Sequence, residues 1–554
     1  MKYEIFHCYL APTNFRFDVL TPNPVSRLFS QLSTNYSFPG TSLVSTSRSS
    51  DRSDVEKGLF VPELSVEERP GEYDQACLYE MIAELGTTID QRQEVTIGTL
   101  PGEVLLVVFN FYLDQSQGED RWHPLVHVCR TWRSLVYSSP HRLNLQLLCS
   151  QNKPVRKTLD VWPALPIVIS GRGNPSSYLQ GADNIIAALE HPDRVCHISL
   201  WEVPIPVLES LTAVMCESFP ELTYLELLPH DMKVSVPVLP DTFLRGSAAR
   251  LQTLWLDFIP LGGLRKLLLS ASDLVDLRLL HIPDSGYISP EAMVTCLSRM
   301  TRLETLSLGF HSPRSHSNRE SRRPPPLTRA VLPALTHLWF KGVSEYLDDL
   351  VARINTPLLR TLEIVFFHQL VFNLSHLPQF ISRTEFDMFN EAYIVFHRDF
   401  ALFRSFWQKD TAAQRVLELG ISCRNSEWQV SSLSQACISS LPTLPNLDRL
   451  DIVDGTPPRP QWHNDMENAQ WLEPLRPFTA VKNLYVSKGL GIRVAQALRE
   501  LPGERTTDVL PALQNIFFGG LQPSGAVGEA MRSFVAARQL SGRPVAVHRW
   551  EGGS

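Results

Sequence analysis

From about residue 195 onward the chain repeats a short apolar pattern, L-x-x-L-x-L, with polar or aromatic residues between the leucines. It stands as Leu222-Leu225-Leu227, Leu251-Leu254-Leu256, Leu274-Leu277-Leu279 and Leu303-Leu306-Leu308. Looser copies follow at Leu335-Leu338-Phe340, Leu359-Leu362-Ile364, Leu447-Leu450-Ile452, Val481-Leu484-Val486 and Leu513-Ile516-Phe518. Degenerate ones sit at Val195-Ile198-Leu200, Ile381-Thr384-Phe386 and Gln414-Leu417-Leu419. The alternation closing each copy predicts a short strand with one apolar face. Between copies the period becomes helical: Leu347, Leu350, Val351 and Ile354 follow Ser344 as a cap, and Met293, Leu297 and Met300 follow Ser289-Pro290.

Strand, turn and helix, repeated about a dozen times, predict an α/β solenoid whose units bury their apolar faces only against one another. The copies starting at 222, 251, 274 and 303 are 29, 23 and 29 residues apart, which brackets the leucine-rich-repeat period. His230, Ile259, Ile282, His311 and Val343 occupy the position that carries Asn in many such repeats, so no asparagine ladder is expected. The stretch from Gln369 to Thr411 is the least regular. A polar, Pro-rich loop at 311–328, with Arg314, Arg319, Arg322 and Arg323, is expected to be exposed.

The N-terminal part has a different texture. Residues 42–53, SLVSTSRSSDRS, cannot bury enough apolar surface to offset ordering entropy, so the region 1–94 is expected to be mostly disordered. The pattern admits one short helix at 72–85, stopped by Gly86, either packed on the next segment of the chain or part of a linker. From Leu100, Val104, Leu105, Val108, Phe109 and Tyr112 recur at helical spacing, with Pro101 and Glu103 suited to a first turn. After a polar loop, Leu125, Val128, Cys129, Trp132, Leu135 and Val136 form a second stripe. Two such helices make an antiparallel hairpin too small for a stable core of its own. A linker at 146–180 is expected between this hairpin and the repeats at 181–554.

Composition narrows the function. At 44% hydrophobic and 20% charged, the 554-residue chain lies in the ordinary globular range and exceeds what one core usually serves. A net charge of -7 argues against bulk binding to nucleic acid. No apolar run reaches the roughly 18–20 residues of a membrane span, and MKYEIFHCYLAPTNF lacks a signal-peptide core. An intracellular protein with no membrane partner is expected. The nine cysteines show no CxxC spacing, which points to buried free thiols and not to a metal or disulfide framework. No GxSxG, HExxH or P-loop occurs, so no enzyme activity, cofactor or metal is expected.

The segment IGTLPGEVLLVVFNFYL…WHPLVHVCRTWRSLVYSSP resembles an F-box, closely the version found in large families of fungal F-box proteins. The matching features are Leu100-Pro101, Glu103-Val104-Leu105, Phe109, Leu125, Val128-Cys129, Trp132-Arg133 and Leu135. The box usually ends in Pro-x-Leu-Trp; here it reads Pro140-His141-Arg142-Leu143-Asn144-Leu145, without the Trp. The resemblance implies a box at 95–145 that binds the Skp-type adaptor of a cullin–RING ubiquitin ligase, and through it a cullin. It implies that Leu100, Pro101, Leu105, Phe109 and Val126 face that adaptor, with Trp132 structural. The repeats would then read a protein target. The alternative is that the hairpin only caps the solenoid, in which case the chain is an interaction scaffold without a ligase role.

In L-x-x-L-x-L the residues between the leucines share the face opposite the core. That places Trp201, Tyr224, Glu226, Trp255, Asp257, Arg278, Trp339, Lys341, Glu363, Arg449, Asp451, Tyr485 and Phe517 on one surface. Aromatics with scattered charges are the composition of a protein-binding hot spot. The fold expected is therefore α/β: a leucine-rich-repeat-like solenoid, or horseshoe, preceded by a small all-α F-box domain and a disordered N-terminal region.

Overall fold

The computed structural model describes residues 97, 100–115, 121–140, 142–161, 164–230, 238–260, 263–313, 328–369, 371–384, 386, 389–406, 415–441, 444–455, 468–501, 507–520 and 525–551. The N-terminal region with its expected helix at 72–85, the middle of the loop 311–328, and Gln414 lie outside the described residues.

Three helices come first: α1 (Gly102–Gln115), α2 (His123–Val128) and α3 (Arg130–Ser138). The stripe from Leu125 to Val136, read as one helix, is broken at Cys129, whose backbone is extended. Cys129 Sγ then accepts the Trp132 N–H at 3.4 Å and so caps α3. Phe109 of α1 lies against Trp132 of α3 with ring centroids 4.6 Å apart. Trp122 Nε1 donates to the Gln146 carbonyl at 3.1 Å, tying the hairpin to the chain that enters the sheet.

Sixteen strands form one sheet among the described residues. The stretch 146–180 is no linker: it holds β1 (Leu147–Cys149), α4 (Val155–Val161), β2 (Ile167–Gly171) and the start of α5 (Pro175–Leu189). Its apolar runs are short and lack the leucine pattern, which hid them. The sheet continues through β3 (Val195–Val203), β4 (Tyr224–Pro229), β5 (Thr253–Asp257), β6 (Asp276–Ile282) and β7 (Thr305–Phe310). Between these strands lie α6 (Ile205–Val214), α7 (Leu264–Ser270) and α8 (Pro290–Leu297). Ser289 caps α8 as expected, its hydroxyl accepting the Ala292 N–H at 3.2 Å.

A two-residue strand, β8 (Ala330–Val331), pairs with β10 (Ile354–Asn355) beside the main sheet. Between them come β9 (His337–Gly342) and α9 (Ser344–Arg353). Ser344 is the first residue of α9 and not its cap; the Gln369 side-chain oxygen accepts its N–H at 3.1 Å. Ile354, expected on this helix, belongs to β10.

After β11 (Thr361–Phe367), the stretch Ile381-Thr384-Phe386 is not a strand: Ile381 lies in α10 (Leu377–Arg383). A hairpin follows, β12 (Glu391–Phe396) and β13 (Phe400–Phe406), then β14 (Val416–Ser422) and α11 (Ser426–Ser440). The order here is β11-β14-β13-β12-β15, so β14 joins β11, β12 joins β15, and only β13 runs antiparallel. The last units are β15 (Arg449–Asp454), β16 (Asn483–Val486), α12 (Gly491–Arg499), β17 (Asn515–Gly519), α13 (Ala526–Leu540) and β18 (Ala546–Trp550).

The register explains the leucine pattern. Ile198, Leu225, Leu254, Leu277, Leu306, Leu338, Leu362 and Leu417 stand side by side across eight strands, all buried. Leu200, Leu227, Leu256, Leu279, Leu308, Phe340 and Ile364 form the next buried row. Two residues past that row, Glu202, Phe258 and His281 each take a left-handed backbone with φ of 57°, 56° and 46°. Non-glycine residues seldom adopt this conformation, and here it recurs two residues past the same buried row in three strands.

Helix α5 rests directly on the turn after β1. A Cβ on Gly181 would collide with the Gln151 carbonyl oxygen and lie 2.7 Å from its carbon. That oxygen also accepts the Asn184 amide at 3.1 Å. Glycine to alanine inside a helix ordinarily gains up to about 1 kcal/mol. Here Gly181→Ala is expected to cost about 2 kcal/mol, because the carbonyl has nowhere to retreat. A urea-unfolding midpoint that stays level or rises would contradict the contact.

Candidate protein-interaction surfaces

The residues expected to face an adaptor are divided by the structure. Leu105, Phe109 and Val126 are 2%, 0% and 1% exposed and belong to the hairpin's interior. They hold the helices together and offer no surface to a partner. Leu100 is half-buried and Pro101 exposed. Trp132 is buried, as a structural residue would be.

At 100° per residue, α1 has three sectors. Leu105, Leu106, Phe109 and Leu113 are buried; Glu103, Asn110 and Asp114 are exposed and polar. Val104, Val107, Val108, Phe111 and Tyr112, with Pro101 just before the helix, fill most of the remaining circle and are half-buried or exposed. Val128, at the end of α2, is 58% exposed, high for an aliphatic side chain. Half of this arc was visible in the sequence, but helical period alone cannot separate residues facing inward from those beside them.

On the sheet, the residues predicted to share a face do so, in three adjacent register rows. The central row runs Ser199, Glu226, Trp255, Arg278, Ser307, Trp339, Glu363, Glu418, Arg404, Tyr393, Asp451, Tyr485, Phe517 and His548. Tyr224 and Arg449 lie two residues before it along their strands; Trp201, Asp257 and Lys341 lie two residues after. Asp257 is nonetheless buried, its carboxylate 2.7 Å from His281 Nδ1, and His281 stacks on Phe258 at 4.5 Å. It is held inside the face and is not presented by it.

Most charges on this face are already paired. Arg278 grips Asp276 at 2.9 Å and lies over Trp255 at 5.2 Å from its ring. Arg449 grips Asp451 at 2.8 Å and lies 4.1 Å over Tyr485, which stacks on Phe517 at 4.3 Å. Lys341 lies 5.9 Å from the Phe367 ring. Trp339 stands over Gly309, where a Cβ would come within 2.8 Å of the indole.

Glu363 and Glu418 face each other across β11 and β14. Burial pushes the Glu418 carboxyl up to about 7, the charge of Glu363 adds to this, and Arg404 opposes it from 3.8 Å. Burial likewise raises Glu363, again against Arg404. Sequence reasoning missed Glu418, Arg404 and Tyr393. The alternation of EAYIVF and FALFRSF around the turn at His397–Asp399 was the signal that could have found them.

Glu226 differs from the other charges. It is 2% exposed, and one oxygen, Oε2, accepts both the Ser199 hydroxyl at 2.7 Å and the Tyr224 hydroxyl at 3.1 Å. Among the described residues Oε1 has no hydrogen-bond partner, and neither has Nε1 of its register neighbour Trp255.

No protein-family model matches this chain, and no curated protein matches it. Among the described residues no helix is long and apolar enough to cross a membrane.

Proposed function

We propose that this chain is the substrate-recognition subunit of a Skp–cullin–RING ubiquitin ligase. An F-box at 95–145 docks the adaptor, and a leucine-rich-repeat solenoid presents the sheet face to a protein target. The observation that carries this reading is the apolar arc Pro101, Val104, Val107, Val108 and Phe111, on the helix bearing the L-P-x-E-V-L element. Partly exposed aliphatic side chains in a row are what a helix-in-groove partner covers. The transfer chemistry belongs to other subunits. For five of the nine cysteines the surroundings agree: burial pushes the Cys149 thiol up to about 11 and raises those of Cys196, Cys296, Cys423 and Cys437, the reverse of what a thioester-forming nucleophile needs.

A second reading, a scaffold whose hairpin only caps the repeats, is favoured by one fact. Leu105, Phe109 and Val126 share a continuous apolar cluster with the first strands. Adaptor binding separates the two. The full chain is expected to bind a purified Skp-type adaptor, and Val104→Asp with Val108→Asp to weaken binding about a hundredfold, as loss of hot-spot contacts does, with the sheet still folded. Failure of a well-folded chain to bind leaves the scaffold.

A further inference from the structure

Among the described residues of the sheet face, Glu226 is a carboxylate with no cation within ion-pair distance, and its register neighbour is Trp255. Glu226 is almost fully buried, yet its hydrogen bonds come only from hydroxyls and both fall on Oε2. The two nearby arginines are engaged elsewhere: Arg278 with Asp276 and the Trp255 ring, and Arg172 over the Trp201 ring at 4.2 Å. Neither lies within ion-pair distance of Glu226. Trp201 and Trp255 meet edge to face at 5.7 Å, and Trp201 Nε1 donates to Ser199 at 3.1 Å, which fixes one wall. His197, stacked on Tyr224 at 4.1 Å, has its proton affinity lowered by burial, against the charge of Glu226, which raises it.

A buried carboxylate without a counter-charge is costly, and the cost falls when a cation that can hydrogen-bond arrives. The orphan atoms specify what would fit. Oε1 needs a donor, and Trp255 Nε1 needs an acceptor. We propose that Glu226, with Trp201 and Trp255, forms a subsite for one basic side chain of the protein target, whose cation donates to Glu226 Oε1 while a neighbouring carbonyl accepts from Trp255 Nε1. Glu226 is almost fully buried, so the site opens locally as the cation enters. The indole rings already carry Arg172 and Arg278, so the incoming cation is held by the charge and acceptor geometry of Glu226, where a planar guanidinium with its fork of donors does better than an ammonium. This rests on the reading of the sheet face as the target surface.

The full chain is titrated with a blocked glycine peptide carrying one central arginine, and with counterparts carrying lysine, citrulline or glutamate there. Calorimetry and ligand-observed NMR follow binding. The arginine peptide is expected to bind at least tenfold tighter than the citrulline and glutamate peptides, with lysine between. Glu226→Gln, which keeps both hydroxyl contacts, should bring the arginine peptide down to the citrulline level without lowering the unfolding midpoint. Equal binding of arginine and citrulline, or an undiminished Glu226→Gln, overturns the subsite. Should that variant fail to fold, the arginine–citrulline comparison on the unaltered chain still decides. Adaptor binding is measured on the same preparations. A chain that binds adaptor but ignores the cation loses only the subsite, and one that takes the cation without adaptor loses only the ligase reading.

Discussion

Phe340→Ala is expected to lower folding stability by about 4 kcal/mol, the usual cost of emptying a fully buried aromatic site. Phe340 is 0% exposed and lies in the second inward row of the sheet, between Leu308 and Ile364. Its ring stacks on Tyr346 of α9 at 5.9 Å and meets Phe310 edge-on at 6.3 Å. Gly342 is glycine because a Cβ there would come within 2.6 Å of the same ring. Trp339, one residue earlier, points to the other face and is half-buried. Trp339→Ala is therefore expected to cost only about 1–2 kcal/mol, although tryptophan is the larger side chain. Urea unfolding of both variants checks the pair; similar losses would mean that the two faces are wrongly assigned.

The second large effect concerns pH. Glu418 holds its proton to about 7 in the folded chain, against an ordinary 4.5. Between those values the folded state binds more protons than the unfolded state, so stability falls as pH rises. This contribution is fully present below the ordinary carboxylate range and gone above about pH 7. Glu418→Gln removes the buried charge. It is expected to stabilise the chain by on the order of 3 kcal/mol near pH 8 and to change it little near pH 5. Glu363→Gln relieves the same repulsion and should shift the falling limb to lower pH, since Arg404 then faces Glu418 alone. Unfolding midpoints across that range are the measurement. A destabilised Glu418→Gln at pH 8 would show that the charge is compensated after all.

The sequence made the leucine rows legible because strand alternation and burial are the same signal there. Leu225, Leu254, Leu277 and Leu306 could be aligned without any structure. Ile167, Ile169 and Cys149 could not, because a three- or five-residue strand with one flanking helix gives too short a period. Ser405 and Ala392 hold leucine-row positions in β13 and β12, and neither looks like a core residue on its own. The outward face was readable as a face, since its members alternate with the leucines. Which of its charges are spoken for was not: Arg278 with Asp276 and Arg449 with Asp451 are intra-strand pairs, but His281 with Asp257 and Arg404 with Glu418 join different strands. In the hairpin the period gave one stripe that the structure divides, with Leu105 and Phe109 buried and Val104 and Val108 more exposed; it was the resemblance that set Leu105 and Phe109 toward an adaptor.

The interleaved strands β12 to β14 bear on how the chain is made. In an array laid down in order, each new strand finds its neighbour's edge already waiting, and assembly can follow synthesis. Here β11 ends at Phe367 and its partner β14 begins at Val416, so about fifty residues must emerge before that edge is covered. At roughly 5–20 residues per second this is an interval of a few seconds. During it a strand rich in Ile and Phe presents unpaired backbone groups, the situation in which nascent chains associate with one another. β12 meanwhile awaits β15, which is made later still. Pairing across the segment from Thr361 to Asp454 is therefore complete only once β15 has been made.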